Sequence, residues 1–478
     1  MNGSDKTIVV IGAGVAGLAC AWKLRSMLPA AELIVLEKSD RAGGILQTHR
    51  ESGYLVELAA DMFTTEPDDA LMLSRKLGHE DDLLTTTPTK QRAFVATERS
   101  IEPVPRGFSL MLPSDQDAVR ATNILDAKGI ERLLSEVDIP PSTGRVDEDF
   151  QAFVVRRFGQ QAFERLVQPL VSGIYTADPC RLSMDATMKR FVDMEREHGS
   201  LIAAAVAAKA SSADQAASGA RYDLFRAPRD GMGSLVKWLV EAADAVDLRF
   251  NWPVEQIEPQ PNQRWKLRAS QSNHEPINAD AIIIASPAAN AAQLLSAVPG
   301  ALSDHLKAIE SASCAVVSLG FDASQFRRPF DGYGVVVPAF LKRQMIAASF
   351  ASNKFPGRAP DNKVLVRCFV GGAMQGELVD LSDRQLVELA IGELNQLIGI
   401  DGVPDLDFVC RWRNAMPQYH VGHLDRVDAI ETELNSFPTL MMAGNAYRGV
   451  GIPICVRSGI DAATKIAGAW GTAKASPE

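Results

Sequence analysis

Cysteine is scarce and scattered in this chain: six in 478 residues, the nearest two being Cys368 and Cys410. No local CxxC pair exists to hold a metal or shuttle a disulfide, and the spacing fits buried free thiols in a reducing compartment. Positive charge is also in deficit. A formal net charge of −10 argues against nucleic acid as a partner and against electrostatic capture by anionic lipid. Apolar runs are short. Only Ile8 to Trp22, after Lys6, has the outline of a signal peptide, and the three glycines inside it favour another reading. Nothing else approaches the roughly 18–20 apolar residues that cross a bilayer. The sequence shows no metal signature, no nucleophile triad and no internal repeat. What is left, 46% hydrophobic and 23% charged, is an ordered globular chain long enough for two or three domains.

The N-terminus carries the clearest chemistry. "TIVVI" (7–11) reads as a buried parallel strand. "GAGVAG" follows, with Gly12, Gly14 and Gly17 at GxGxxG spacing, then a helix, then the strand "LIVLE" ending at Glu37. Gly12 makes a tight turn, Gly14 admits a pyrophosphate close to the backbone, and Gly17 lets helix and strand pack. The helix start offers free N–H groups to phosphate, and Glu37 stands where a carboxylate accepts ribose hydroxyls. A second glycine-rich turn and helix, "GNAYRGVGIPICVRSGIDAATKIAG", closes the chain.

Between these ends the pattern changes. Residues 86–112 read as irregular strands and 114–200 as mainly helical, with Asp147 and Asp149 at N-cap positions and Gly159 between two segments. The alanine-rich 203–220 reads as a helix end running into a flexible loop. "ADAIIIASPA" (279–288) is a further buried strand, and strands alternate with short helices to about 430. The expected class is therefore α/β. A discontinuous Rossmann-type domain (1–85, 222–292 and 433–478) carries an inserted strand-rich substrate domain (86–112 and 293–432) and a helical domain (113–200), with 201–221 as the alanine-rich segment.

After Glu37, the run Arg41-x-Gly43-Gly44 resembles the flavin oxidases related to amine oxidases. The words "PLVSGIYTADPCRLSM", "MEREHGSL", "ASNKFPGRAP", "CFVGG", "MPQYHVGH" and "GNAYRGVGIP" together resemble the oxygen-dependent protoporphyrinogen and bacterial coproporphyrinogen III oxidases, over nearly the whole chain. The resemblance implies non-covalent FAD, with its adenine end on the N-terminal unit and its flavin end at the second glycine turn. It implies removal of six hydrogens from a porphyrinogen in haem biosynthesis, with O2 as acceptor and H2O2 as product. By motif position, Gly12, Ala13, Gly14, Val15, Ala16, Gly17, Glu37, Lys38, Arg41, Gly43 and Gly44 would hold adenosine and pyrophosphate. Val254 would meet the adenine through its backbone. Ala59, Ala60, Trp412, Gly444, Asn445, Val450, Gly451 and Ile452 would lie near the flavin, and Arg92 would pair with a substrate carboxylate. No residue is assigned to catalysis and no metal is expected.

Two departures stand out. Relatives usually have Gly-Pro where this chain has Ala59-Ala60, and an acidic residue where it has Ile454. The resemblance further implies a cytoplasmic protein, with peripheral contact at the inner face of the membrane and product hand-over to a haem-pathway chelatase as open partners. It leaves the oligomer unspecified. An amine oxidase or desaturase of the same fold, or a non-catalytic flavin-fold protein binding tetrapyrrole, are the rival readings. On substrate, Lys90, Arg92, Arg99 and Arg106 would serve four carboxylates. The segment also carries Glu98 and Glu102, and in a strand Arg92 and Arg99 would face opposite ways, which tips the expectation slightly toward the dicarboxylate, protoporphyrinogen IX, with coproporphyrinogen III close behind.

Overall fold

The structure, a computed structural model, describes residues 6–144, 147–211, 222–270 and 274–470. Five parallel strands form its nucleotide-type sheet, in the order Asp247–Arg249, Glu32–Leu36, Thr7–Ile11, Ala281–Ile284, Leu440–Met442. From the first strand the chain builds outward on one side and then on the other, so the order reverses between Thr7–Ile11 and Ala281–Ile284. The strands read as continuous apolar runs because both faces are covered. Ile8 and Val10 pack into a core with the helix Val15–Met27 and the C-terminal helix Ile452–Ala469. Val9 and Ile11 pack on the opposite side with Trp265 and Leu302.

The second sheet has seven strands, in the order Leu406–Pro417, Ser311–Asp322, Lys363–Gly371, Met345–Phe350, Gly334–Val336, Ala93–Ala96, Ile101–Pro103. One face packs on the helix Asp383–Ile398 through Leu386, Ala390 and Leu394. The other meets the hairpin Thr48–Glu51/Tyr54–Glu57, where Tyr54, Val56 and Leu58 pack on Leu365, Leu406 and Trp412.

A third, helical body lies between residues 116 and 211. Phe150, Phe153, Val154, Phe158, Leu166 and Val167 form its core. Asp149 caps the helix Phe150–Phe158 by accepting the Ala152 N–H, and Gly159 ends it with φ +88. Asp147 does not cap a helix: it accepts the Ser183 hydroxyl at 2.7 Å and the Gly422 N–H at 3.0 Å, tying two distant segments. The alanine-rich stretch is helix over Leu201–Ser211; the loop expected after it lies outside the described residues. The irregular strands expected over 86–112 are short: Ala93–Ala96 and Ile101–Pro103 pair as a hairpin, closed by a bond from the Thr97 N–H to Ser100 O, and Phe108–Ser109 and Leu112–Pro113 pair after it. Arg92 precedes this hairpin and Arg99 sits in its turn, so the alternation of a strand does not relate them.

Candidate functional site

The residues expected to bind nucleotide converge at the carboxyl ends of the parallel strands, beside the point where the strand order reverses. Gly12 follows the first strand, Glu37 the second, Ser286 the fourth and Gly444 the fifth. In open parallel sheets this crevice is where ligands bind.

The three fingerprint glycines divide by function. A Cβ on Gly12 would lie 2.7 Å from Ala285 O, and one on Gly17 would lie 1.9 Å from Gly12 O. Those two are required by the packing of strand and helix. A Cβ on Gly14 would meet nothing within 4 Å. Gly14 is also the N-cap of the helix Val15–Met27, with no capping side chain and no acid in the first turn. The site is thus a helix start with its donors uncapped and a cradle that a side chain would fill, which is what a pyrophosphate needs. The Ser286 hydroxyl, next to Gly12, is buried without a partner among the described residues.

Glu37 is 8% exposed and already engaged. Its Oε2 accepts the Ala13 N–H at 2.9 Å and its Oε1 the Ser39 N–H at 3.0 Å. The Ser39 hydroxyl lies 2.8 Å from both Oε1 and Arg41 O, with one proton for the two. A carboxylate has about four acceptor positions, so Glu37 keeps one or two open. The turn before Val254 is pinned alongside: the Trp252 N–H donates to Glu37 O and the Asn251 N–H to Ser39 O, both at 2.9 Å. Lys38 is exposed, while Arg41 turns back to bond Ala42 O and Gly44 O. Gly43 N–H donates to Ala13 O at 2.7 Å, bringing Gly43 and Gly44 against the first glycine turn.

The C-terminal turn comes to the same crevice because the helix Ile452–Ala469 packs along the helix Val15–Met27. A Cβ on Gly459 would lie 2.1 Å from Ala16 O. Ile452 lies seven residues before Gly459, about 10 Å along the axis at ~1.5 Å per residue. Two uncapped helix starts therefore stand along one groove, the second beginning at Gly451 with no capping side chain. Ile454 sits in its first turn, so no acid opposes the helix dipole there.

The Ala59-Ala60 segment is gripped from the second sheet. Trp412 Nε1 donates to Leu58 O at 2.7 Å, and Arg367 donates to Ala59 O. Beside it, Asp61 Oδ2 takes Lys354 Nζ at 3.0 Å and Arg367 Nη1 at 3.2 Å. All three are buried, Arg367 at 1% exposure, Lys354 at 8% and Asp61 at 9%. Burial opposes ionisation of Asp61, but the ammonium of Lys354 and the guanidinium of Arg367 outweigh it and hold the carboxyl well below the usual carboxylate range. The short helix Ala351–Lys354 also anchors the segment leading into the hairpin Ala93–Ala96/Ile101–Pro103: Lys90 Nζ donates to Asn353 Oδ1 at 2.9 Å, and Thr87 N–H to Lys354 O at 2.9 Å. Arg92 is exposed next to these groups, its side chain without a partner among the described residues. Arg106 pairs with Asp115 at 3.3 Å on the surface.

The chain matches the family described as flavin containing amine oxidoreductase over residues 15–467. It belongs to that family. It is an FAD-dependent oxidoreductase with the amine oxidase-type α/β flavin-binding fold. The coproporphyrinogen III oxidase of Bacillus subtilis (strain 168) is 31% identical over 464 residues, covering 96% of this chain and 97% of that one. The chloroplastic protoporphyrinogen oxidase of Nicotiana tabacum is 27% identical over 481 residues, 96% of this chain and 85% of its own. A solved structure from Exiguobacterium sp. 255-15, assigned provisionally as a protoporphyrinogen oxidase, superposes with a TM-score of 0.85 at 27% identity, covering 97% of this chain and 99% of that one. No helix among the described residues is long and apolar enough to cross a membrane, and no group of metal-binding side chains is present among them.

The sequence reading assigned no role to Asp61, Lys354, Arg367, Tyr419 or His423. Lys354 lies in "ASNKFPGRAP" and the two rings in "MPQYHVGH", so the words were visible, but nothing local says what they touch.

Proposed function

We propose that this enzyme oxidises a porphyrinogen to the porphyrin with O2, and that coproporphyrinogen III is the preferred substrate. One observation carries the reading: similarity over almost the full length to curated coproporphyrinogen III oxidases, at 31% for the Bacillus subtilis protein. FAD, when bound, would supply the redox chemistry of a two-electron oxidation, with O2 as the final acceptor and H2O2 as product, three turnovers accounting for the six hydrogens. The chain supplies placement. Gly12 to Gly17, Gly43, Gly44, Lys38 and Arg41 surround the pyrophosphate and adenosine, Glu37 the ribose, and the Val254 backbone the adenine. Ala59, Ala60, Trp412, Gly444, Asn445, Val450, Gly451 and Ile452 surround the ring, where the uncapped start of the C-terminal helix favours negative charge. Peripheral contact with the inner face of a membrane and hand-over to a chelatase belong to the same reading; Val137, Ile174 and Val206 are large apolar side chains left exposed on the helical body.

The preference for the tetracarboxylate follows from two points. The strand geometry that set Arg92 against Arg99 does not apply to a hairpin. Arg92 and Lys90 also place two cationic side chains close together on one flank, the Lys90 ammonium bonded only to the neutral Asn353 amide among the described residues. Anaerobic addition of each porphyrinogen should bleach the flavin, and air should restore it with porphyrin fluorescence. The expected kcat/KM for coproporphyrinogen III exceeds that for protoporphyrinogen IX by about tenfold or more, ~1.4 kcal/mol in transition-state binding. The opposite order would reverse the substrate assignment, and no bleaching by either would remove it.

Arg92→Ala tests the carboxylate contact. Arg92 is exposed, so a pair with a propionate is worth ~1 kcal/mol rather than the several of a desolvated pair. KM should rise about fivefold with kcat nearly unchanged, since a counter-charge holds ground state and transition state alike. Steady-state kinetics with wild-type KM would return Arg92 to the solvated surface.

A further inference from the structure

Asn445 and Ala446 form a main-chain turn, but the rest of the segment to Gly449, ahead of the C-terminal helix, has no close main-chain hydrogen bond of its own among the described residues. Backbone groups are obligatory hydrogen bonders, so such a segment takes much of its shape from what holds it. Two stacked rings from "MPQYHVGH" do so. The Tyr419 hydroxyl donates to Asn445 O at 2.6 Å and accepts the Gly449 N–H at 2.8 Å, clasping both ends of the turn. His423 lies parallel to Tyr419, ring centroids 3.9 Å apart, and its Nε2–H donates to Tyr447 O at 2.7 Å, the middle of the turn. Both rings are almost fully buried, at 2% and 0% exposure. Other bonds hold the segment too: Gly444 N–H donates to the Ser458 hydroxyl at 3.0 Å where the turn begins, Asn445 Nδ2 to Ala415 O at 3.5 Å, and the exposed Arg448 guanidinium to Asp428 at 2.7 Å and Glu431 at 2.8 and 3.0 Å.

The rings are themselves held from the far side. Ser183 N–H donates to Tyr419 O and Val421 N–H to Arg181 O, both at 2.8 Å. Gly422 N–H reaches Asp147. The segment 418–423 is thus anchored in the helical body through its main chain and grips the glycine turn through its side chains. A support fixed on one side can impose a geometry on the other.

We propose that Tyr419 and His423 are positioning residues for the flavin: by shaping the turn 445–449 they aim the start of the C-terminal helix at the edge of the ring system where charge develops on reduction. Neither ring need touch FAD. The inference rests on the reading that places the flavin at this turn, and its consequence is electrostatic. Helix N–H groups stabilise a developing anion only while they point at it. A turn freed of its clasp therefore lowers the affinity for the reduced cofactor more than for the oxidised one.

Tyr419→Phe keeps the stacked ring and removes only the hydroxyl, and with it both bonds. His423→Phe keeps the stack and removes the donor to Tyr447 O, and serves where the first variant fails to fold. In each, FAD titration of the apoprotein should give a dissociation constant raised about tenfold. The two-electron midpoint potential of the bound flavin should fall by ~30 mV, a tenfold change in that equilibrium. The melting temperature of the apoprotein should stay within about 2 °C of wild type, since the turn matters to the ligand. A wild-type potential in the folded variants, whatever their affinity, overturns the proposal and leaves the rings as core filling. If instead Gly14→Val retains FAD, the nucleotide reading itself has failed, so the two failures are told apart.

Discussion

Gly14→Val yields a protein that folds and melts like the wild-type apoprotein but is purified colourless. The structure separates this glycine from its two neighbours. Side chains at Gly12 or Gly17 would run into main-chain oxygens at 2.7 Å and 1.9 Å, so those variants should fail to fold or fold poorly. At Gly14 the backbone is extended, with φ −72 and ψ 176, a conformation that β-branched residues adopt readily, and the Cβ position is open. Valine costs the fold little beyond a weaker helix cap, ~1 kcal/mol or less. Its two methyls would stand where the pyrophosphate must approach the helix start, and loss of that contact should leave less than about a tenth of the wild-type flavin bound. The measurement is the ratio of flavin to protein absorbance, taken with the melting temperature of the apoprotein. A variant that stays fully yellow means the N-terminal turn does not hold FAD.

That expectation could be formed before any coordinates because everything it uses is local. Strand, glycines, helix, strand and Glu37 lie within 31 residues, and their periodicities are set by neighbours in the chain. The buried strand at 281–284 was legible for the same reason: three isoleucines in a row suit a strand covered on both faces. The second sheet was harder. Residues 90–106 carry β-formers on both sides of "TERS", and a run of β-formers does not say whether the chain continues or turns back. Even Glu37 was only half legible: its position at the strand end is local, but the donors from Ala13 and Ser39 that use most of its lone pairs appear only on folding. Least legible were contacts between distant segments. Asp61 and Lys354 are 293 residues apart, and no spacing rule connects them. Tyr419 and His423 belong to a word that could be quoted but not explained, because their partners are main-chain atoms of a turn whose shape exists only in the fold.

Asp61→Asn should destabilise the fold strongly. One carboxylate oxygen there holds two cations, at 3.0 Å and 3.2 Å, in a place water barely reaches. Removing the anion leaves Lys354 and Arg367 without their shared carboxylate, with the buried Glu57 as the remaining acidic group near Arg367. Breaking a buried ion group by deleting one member costs ~3–5 kcal/mol, because the remaining charges stay desolvated. The effect should reach the ring site. Arg367 also donates to Ala59 O, and Trp412 to Leu58 O, so the segment that stands where relatives have Gly-Pro is positioned by the same side chains. Urea unfolding of the holoenzyme, followed by tryptophan fluorescence, should show the midpoint falling in Asp61→Asn. Removing the charges together, as Asp61→Leu with Lys354→Met, should recover part of the loss, since an apolar group of similar volume replaces a buried pair at little cost. The recovery should be incomplete, because Arg367 keeps its charge and loses its carboxylate. Wild-type stability in Asp61→Asn would show that the cluster holds the Ala59-Ala60 segment by shape rather than by charge.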